Sequence, residues 1–204
     1  MYAKIKETCD SIASQFNTIS PERKEILEKI SQYIFSKKAN NELVKLIYIC
    51  THNSRRSHFG QIWAKVAADY YKIENIETYS GGTEATAFNI NAINALREIG
   101  FEVTAITSKN NPVFEVNYNE IGEPIICFSK TYDDIHNPTS NFAAIMTCSD
   151  AEENCPFIPG VELRIGTTYD DPKAFDNTSL QNEKYKERAL QIALECLYVF
   201  SNVK

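Results

Sequence analysis

An apolar run, Leu43-Val44-Lys45-Leu46-Ile47-Tyr48-Ile49, leads into Cys50, and five residues separate that cysteine from Arg56-Ser57. Phe59, Ile62, Trp63, Val66, Ala67 and Tyr70 follow at helical spacing. Strand, short loop and helix start are the tightest constraint in the chain. They place the loop where backbone N–H groups converge on the positive end of a helix dipole. A thiol there is held as thiolate, and an oxyanion can bind directly above it. Cys50 is the candidate nucleophile, and the amides of Thr51, His52, Asn53, Ser54, Arg55 and Arg56 form a nest for the anion. Arg56 can grip two of its oxygens, and the Ser57 hydroxyl is placed to donate to the sulfur. Asn53 and Ser54 are expected to hold the loop's shape, and Arg55 to face solvent.

The alternation continues on either side. Residues 1–38 read as two helices, the first with Ile5, Cys9, Ile12 and Phe16 in one stripe, the second opened by Ser20-Pro21. They carry no visible chemistry and read as a helical cap or a homodimer surface. Strand 43–49 and helix 58–71 are followed by a short strand from Ile76 to Ser80, ending in Gly81-Gly82. A helix over 88–99 turns Ile90, Ile93, Leu96 and Ile99 inward, with Gly100 as its cap. Residues 112–130 read as a hairpin, Phe142–Thr147 and Val161–Ile165 as further strands, and 180–202 as the last helix. Strands alternating with helices imply an α/β fold, a mostly parallel sheet covered on both faces. Ligands bind such sheets at the carboxyl ends of the strands, where Cys50 and Cys148 fall.

The length of 204 residues suits one catalytic domain, 41–204, carrying an N-terminal helical extension, 1–40, and the inserted hairpin. A formal net charge of −6 argues against a nucleic-acid partner, so an anion has to be captured by local charge. No apolar stretch is long enough to cross a membrane. The first residues lack a signal peptide's apolar block, so a cytoplasmic protein is expected. Of the six cysteines, Cys9, Cys127 and Cys196 lie in apolar periodic segments and read as buried thiols. Cys50, Cys148 and Cys155 sit at strand ends or in polar loops and fit that reading poorly. His58 and His136 have no partners that suggest a metal. Cys148 and Cys155 are too widely spaced for a zinc hook, so no metal site is expected.

Asp171, in Tyr169-Asp170-Asp171-Pro172, is the candidate general acid, able to protonate the oxygen that leaves when sulfur attacks. Together, Cys50 to Ser57 and Asp171-Pro172 resemble the low-molecular-weight protein tyrosine phosphatase family. Within that fold the chain resembles the thioredoxin-coupled arsenate reductases more closely, through Ile47–Ser54, Tyr79-Ser80-Gly81-Gly82-Thr83-Glu84 and Thr147-Cys148-Ser149-Asp150-Ala151-Glu152-Glu153-Asn154-Cys155-Pro156. The resemblance covers about residues 43 to 202. It implies four parallel strands in flavodoxin-like order, flanked by helices, and a three-thiol relay. Cys50 attacks arsenate, Cys148 then attacks Cys50 and releases arsenite, and Cys155 resolves the disulfide. A thioredoxin-like dithiol, not a tightly bound cofactor, supplies the electrons.

The chain departs from that family where His52 and Arg55 replace a glycine and a cysteine. Lys109 after Thr107-Ser108, and Gln61 in place of a glutamate, predict no bound potassium. Two other readings compete. One is a phosphatase acting on phosphotyrosine or small phosphoesters through a cysteinyl-phosphate. The other is a non-catalytic oxyanion- or redox-sensing module.

Overall fold

The computed structural model describes residues 1–154 and 157–203. The central strand is β1 (Val44–Cys50), and its residues are buried on both faces. Val44, Leu46 and Tyr48 join the main core, whereas Ile47, Ile49 and Cys50 join a smaller apolar cluster on the opposite face. This two-sided burial explains why the strand reads as a continuous apolar run instead of an alternating one. β1 pairs in parallel with β2 (Ile76–Gly82) and with β6 (Phe142–Met146), which pairs in parallel with β7 (Val161–Gly166). The four-stranded sheet runs β2-β1-β6-β7, the flavodoxin-like order expected from the resemblance.

Helices cover both faces. The main core lies under α3 (Arg56–Tyr70), α4 (Ile90–Ile99) and α6 (Gln181–Ser201). The apolar positions read from the last helix, Ala189, Ile192, Ala193, Cys196, Val199 and Phe200, are all buried. α1 (Ala3–Ala13) and α2 (Pro21–Ala39) pack on α6 and send Ile5, Cys9, Ile12, Leu27, Ile30 and Ile34 into the same core. Ser20 caps α2 by accepting from the Arg23 amide, with Pro21 at the first helical position. α1 ends at Ala13, so Phe16 starts a separate 3-10 turn and packs edge-on against Tyr198. In α4, Ile90 is 58% exposed and does not face the sheet: it directly follows the Asn89 cap, and burial begins at Ala92 and Ile93.

The hairpin is present as β4 (Phe114–Asn117) and β5 (Ile125–Cys127), but β3 (Glu102–Ala105) pairs antiparallel with β4 to make a three-stranded sheet. The sequence shows β3 only as a brief Phe101-Glu102-Val103 run, whose single fully buried strand position, Val103, gives no period to read. After Cys148 the chain forms a short helix, α5 (Ser149–Asn154), where a polar loop was expected. No helix among the described residues is long and apolar enough to cross a membrane.

α3 sits directly on β1. A Cβ at Gly60 would lie 2.2 Å from Tyr48 Cδ1 and 2.9 Å from its Cβ, the latter tied to the strand backbone. On an exposed helix Gly→Ala stabilises by about 1 kcal/mol. Here Gly60→Ala is expected to destabilise by about 1–3 kcal/mol through overpacking, read from the urea midpoint, and an unchanged or raised midpoint would contradict this packing.

Candidate active site

Cys50 ends β1, residues 51–55 make the loop, and Arg56 begins α3. The loop's carbonyls are claimed from outside. Thr51 O accepts from the Glu84 amide at 2.8 Å, Ser54 O from the Asn89 amide at 3.0 Å, and His52 O from the hydroxyls of Ser129 and Thr86. The amides of His52, Asn53, Ser54 and Arg55 find no acceptor among the described residues. With the carbonyls drawn outward, those donors are free for an anion at the head of a 15-residue helix. Gly82 permits the close approach, since a Cβ there would lie 2.3 Å from Glu84 O and 2.7 Å from the Asn53 nitrogen. Asn53 takes a left-handed φ of 43°, which asparagine tolerates.

The side chains are arranged around the sulfur. Cys50 Sγ lies 3.1 Å from Ser57 Oγ, which also accepts from Asn53 Nδ2 at 2.9 Å. That acceptance leaves the hydroxyl proton free to point at the sulfur. Asn53 Oδ1 in turn accepts from the Lys130 amide, and Ser54 donates to Ala87 O, so both residues hold the loop as expected. Arg56 is buried; Nη1 donates to Tyr169 O at 2.7 Å and Nη2 to Asp171 Oδ2 at 2.6 Å, while Nε has no partner among the described residues. Two of its five N–H donors are thus used for positioning, and three remain for an anion. Asp171 Oδ1 accepts from the Lys173 amide. These two contacts use one lone pair on each carboxylate oxygen and fix the orientation of the group beside Arg56.

Arg55 does not face solvent. Its side chain is 11% exposed, its Nε donates to Tyr185 OH at 2.9 Å, and Asp171 and Asp176 lie 3.9 Å from the guanidinium. These partners lie 116 to 130 residues away along the chain, beyond any local pattern. His52 stays at the rim, its Nε2 3.8 Å from Glu84.

Cys148 follows β6 and is 2% exposed, and Cys50 is 3% exposed, so both are more buried than their polar neighbours suggested. They share one apolar cluster with Ile47, Ile49 and Met146. Cys148 Sγ lies 3.4 Å from Thr51 Oγ1 and accepts from the Ala151 amide at the start of α5. Cys155 lies outside the described residues. Burial pushes Cys9, Cys127 and Cys196 each up to about 12, consistent with inert core thiols. Among the described residues no group of three or more His, Cys, Asp or Glu could hold a metal.

Two supports escaped the sequence. Tyr169, whose carbonyl holds Arg56, donates through its hydroxyl to Glu195 at 2.6 Å, and Glu195 forms a two-point pair with Arg23 of α2 at 2.8 and 2.9 Å. The N-terminal helices are therefore wired to the site arginine, by residues whose separation of 172 positions no motif reveals. The second is His58, whose Nδ1 is 3.2 Å from Ser80 Oγ. Ser80 donates in turn to Gln61 Oε1 at 2.7 Å, and His58 Nε2 has no hydrogen-bond partner among the described residues.

The four-stranded parallel sheet, with a cysteine-bearing loop between β1 and the following helix, defines an enzyme on the low-molecular-weight phosphatase fold. No family model matches the chain. It is 30% identical over 128 residues to Arsenate reductase 2 of Staphylococcus epidermidis, covering 62% of this chain and 77% of that protein. It is 29% identical over 144 residues to the arsenate reductase of Bacillus licheniformis, covering 70% and 84%. A solved arsenate reductase in the phosphate-binding state superposes with a TM-score of 0.53 at 17% identity, over 79% of this chain and all of that one. This last likeness speaks for the fold. The chain belongs to the arsenate reductase family.

Burial, and secondarily the Lys130 ammonium, holds His58 well below the ordinary histidine value of 6.5. The unfolded chain binds this proton below about pH 6.5 and the native chain does not, so the native state loses stability on acidification. The expected slope is up to about 1.4 kcal/mol per pH unit between about pH 6.5 and 5. His58→Gln should flatten it in urea titrations; an unchanged slope would assign the loss elsewhere. Glu195→Ala strands Arg23 and the Tyr169 hydroxyl together, and an unfolding cost of about 3 kcal/mol is expected. Replacing Arg23 and Glu195 jointly by methionine should cost less than the single change.

Proposed function

We propose that the protein reduces arsenate to arsenite through Cys50 and a three-cysteine relay. The observation that carries this reading is the second thiol. Cys148 shares an apolar cluster with Cys50 and its sulfur touches the hydroxyl of Thr51, the residue next to the nucleophile. A phosphoester hydrolase needs no thiol there.

In the first step the Cys50 thiolate attacks arsenic(V) held by the loop amides and Arg56, and a sulfur–arsenic bond forms. One arsenate oxygen leaves as water, with Asp171 supplying a proton. Cys148, as thiolate, then attacks the Cys50 sulfur. The sulfur–sulfur bond forms, the electron pair of the sulfur–arsenic bond passes to arsenic, and arsenite departs with arsenic(III). Cys155 attacks Cys148 and frees Cys50. A thioredoxin-like dithiol reduces the resulting Cys148–Cys155 bond by two further exchanges. α5, only six residues long, is the element that has to yield for Cys148 to advance.

The second reading keeps the same nest and stops at a cysteinyl-phosphate hydrolysed by water. It is favoured by Ser57, Arg56 and Asp171, which serve a phosphate as well as an arsenate, so weak aryl-phosphate turnover is expected in either case. The two readings separate when arsenite formation with thioredoxin and its reductase is measured beside aryl-phosphate hydrolysis. Cys50→Ser should abolish both. Cys148→Ser should abolish sustained arsenite release and leave aryl-phosphate turnover in place. Undiminished arsenite release in Cys148→Ser would leave the phosphatase reading standing. Asp171→Asn should slow the reaction by about 10²–10⁴-fold.

A further inference from the structure

A cavity of about 570 Å³ opens between β2, the outer strand of the parallel sheet, and β5, the outer strand of the smaller sheet. Ile76, Tyr79, Pro124, Ile125, Phe128 and Lys130 line it, and none of Cys50, Arg56, Cys148 or Asp171 does. Lys130 is only 4% exposed. Its Nζ sits 4.5 Å from the centroid of the Phe128 ring, and among the described residues it makes no hydrogen bond and no ion pair. The side chain is nearly enclosed, and an aromatic face replaces only a small part of an ammonium's hydration. Burial pushes this lysine below its ordinary range, and Cys127 and Asp134 oppose the shift only in part.

We propose that this cavity binds a small organic anion, a carboxylate on an apolar body, with Lys130 as its counter-ion and Phe128, Ile76 and Ile125 enclosing the body. The remaining ionisable groups around the cavity are Lys65 and His136 on one side of the balance and Glu77 and Glu123 on the other. The two carboxylates disfavour a multiply charged ligand, which separates this site from the nest above Cys50. The cavity also touches the nucleophile loop through the backbone. The Lys130 amide donates to Asn53 Oδ1 at 2.8 Å and its carbonyl accepts from the Gly82 amide at 2.9 Å. An occupant that draws on Lys130 therefore registers at Asn53, and through it at Ser57.

The experiment is a titration of the ¹⁵N-labelled full-length protein with benzoate and, separately, with neutral benzamide, followed by amide chemical shifts. Benzoate is expected to shift Tyr79, Phe128 and Lys130, with smaller shifts at Asn53, and to bind about tenfold or more tightly than benzamide. Lys130→Met should erase that preference. The wild-type comparison decides the matter even where the variant folds poorly. Benzoate shifts confined to residues 50–56, equal binding of the two probes, or a preference that survives Lys130→Met would each overturn the assignment.

Discussion

The outward pull on the carbonyls of Thr51, His52 and Ser54 is the constraint on which the rest of the site depends. A loop of five residues between a buried strand and a buried helix has few ways to satisfy its polar groups. Here the acceptors are met by the segments after β2 and after β5, through Glu84, Thr86, Asn89 and Ser129. The donors are left over at the head of α3, which is what an anion requires. A nest of this kind is made by the surrounding chain. Gly82 matters as much as any residue inside the loop, because any side chain there would push Glu84 and the loop apart.

That dependence explains what could and could not be read beforehand. The strand, the loop and the helix are contiguous, and their periods and spacing name Cys50, Arg56 and Ser57 directly. Asp171 and Cys148 could be picked out as candidates near the carboxyl ends of strands, and the resemblance supplied the roles proposed for them. Arg55 was misjudged because its partners, Tyr185, Asp171 and Asp176, leave no local trace near residue 55. β3 was too short to announce itself. Ile90 went astray because a helical period identifies a face but not the residue at which a capped helix first turns inward.

The N-terminal helices illustrate the same limit from the other direction. Their amphipathic stripes were plain, and so was their lack of chemistry. Their apolar faces complete the core over α6, and Arg23 adds a charge that would be awkward without Glu195. The pair is held further by the Tyr169 hydroxyl, with the Arg23 guanidinium 5.0 Å from the centroid of the same tyrosine ring. A buried ion pair contributes little net stability, but it fixes orientation, because any displacement breaks several charge-assisted bonds together. Tyr169 is thereby fixed, and its carbonyl defines where Nη1 of Arg56 lies.

The geometry of Arg56 then decides how one nest can serve both binding and release. Tyr169 holds Nη1 by a neutral carbonyl, a contact that need not change as charge comes and goes. Asp171 holds Nη2 by a carboxylate, a contact that competes with an incoming oxyanion for the same cation. An arriving anion can take Nε and the remaining Nη protons while Tyr169 keeps the guanidinium plane in register. On the proposed reading, the pull of Arg56 is then shared between Asp171 and the ligand. On the same reading, the Asp171–Arg56 pair therefore ties the freedom of the acid to the arrival of the substrate.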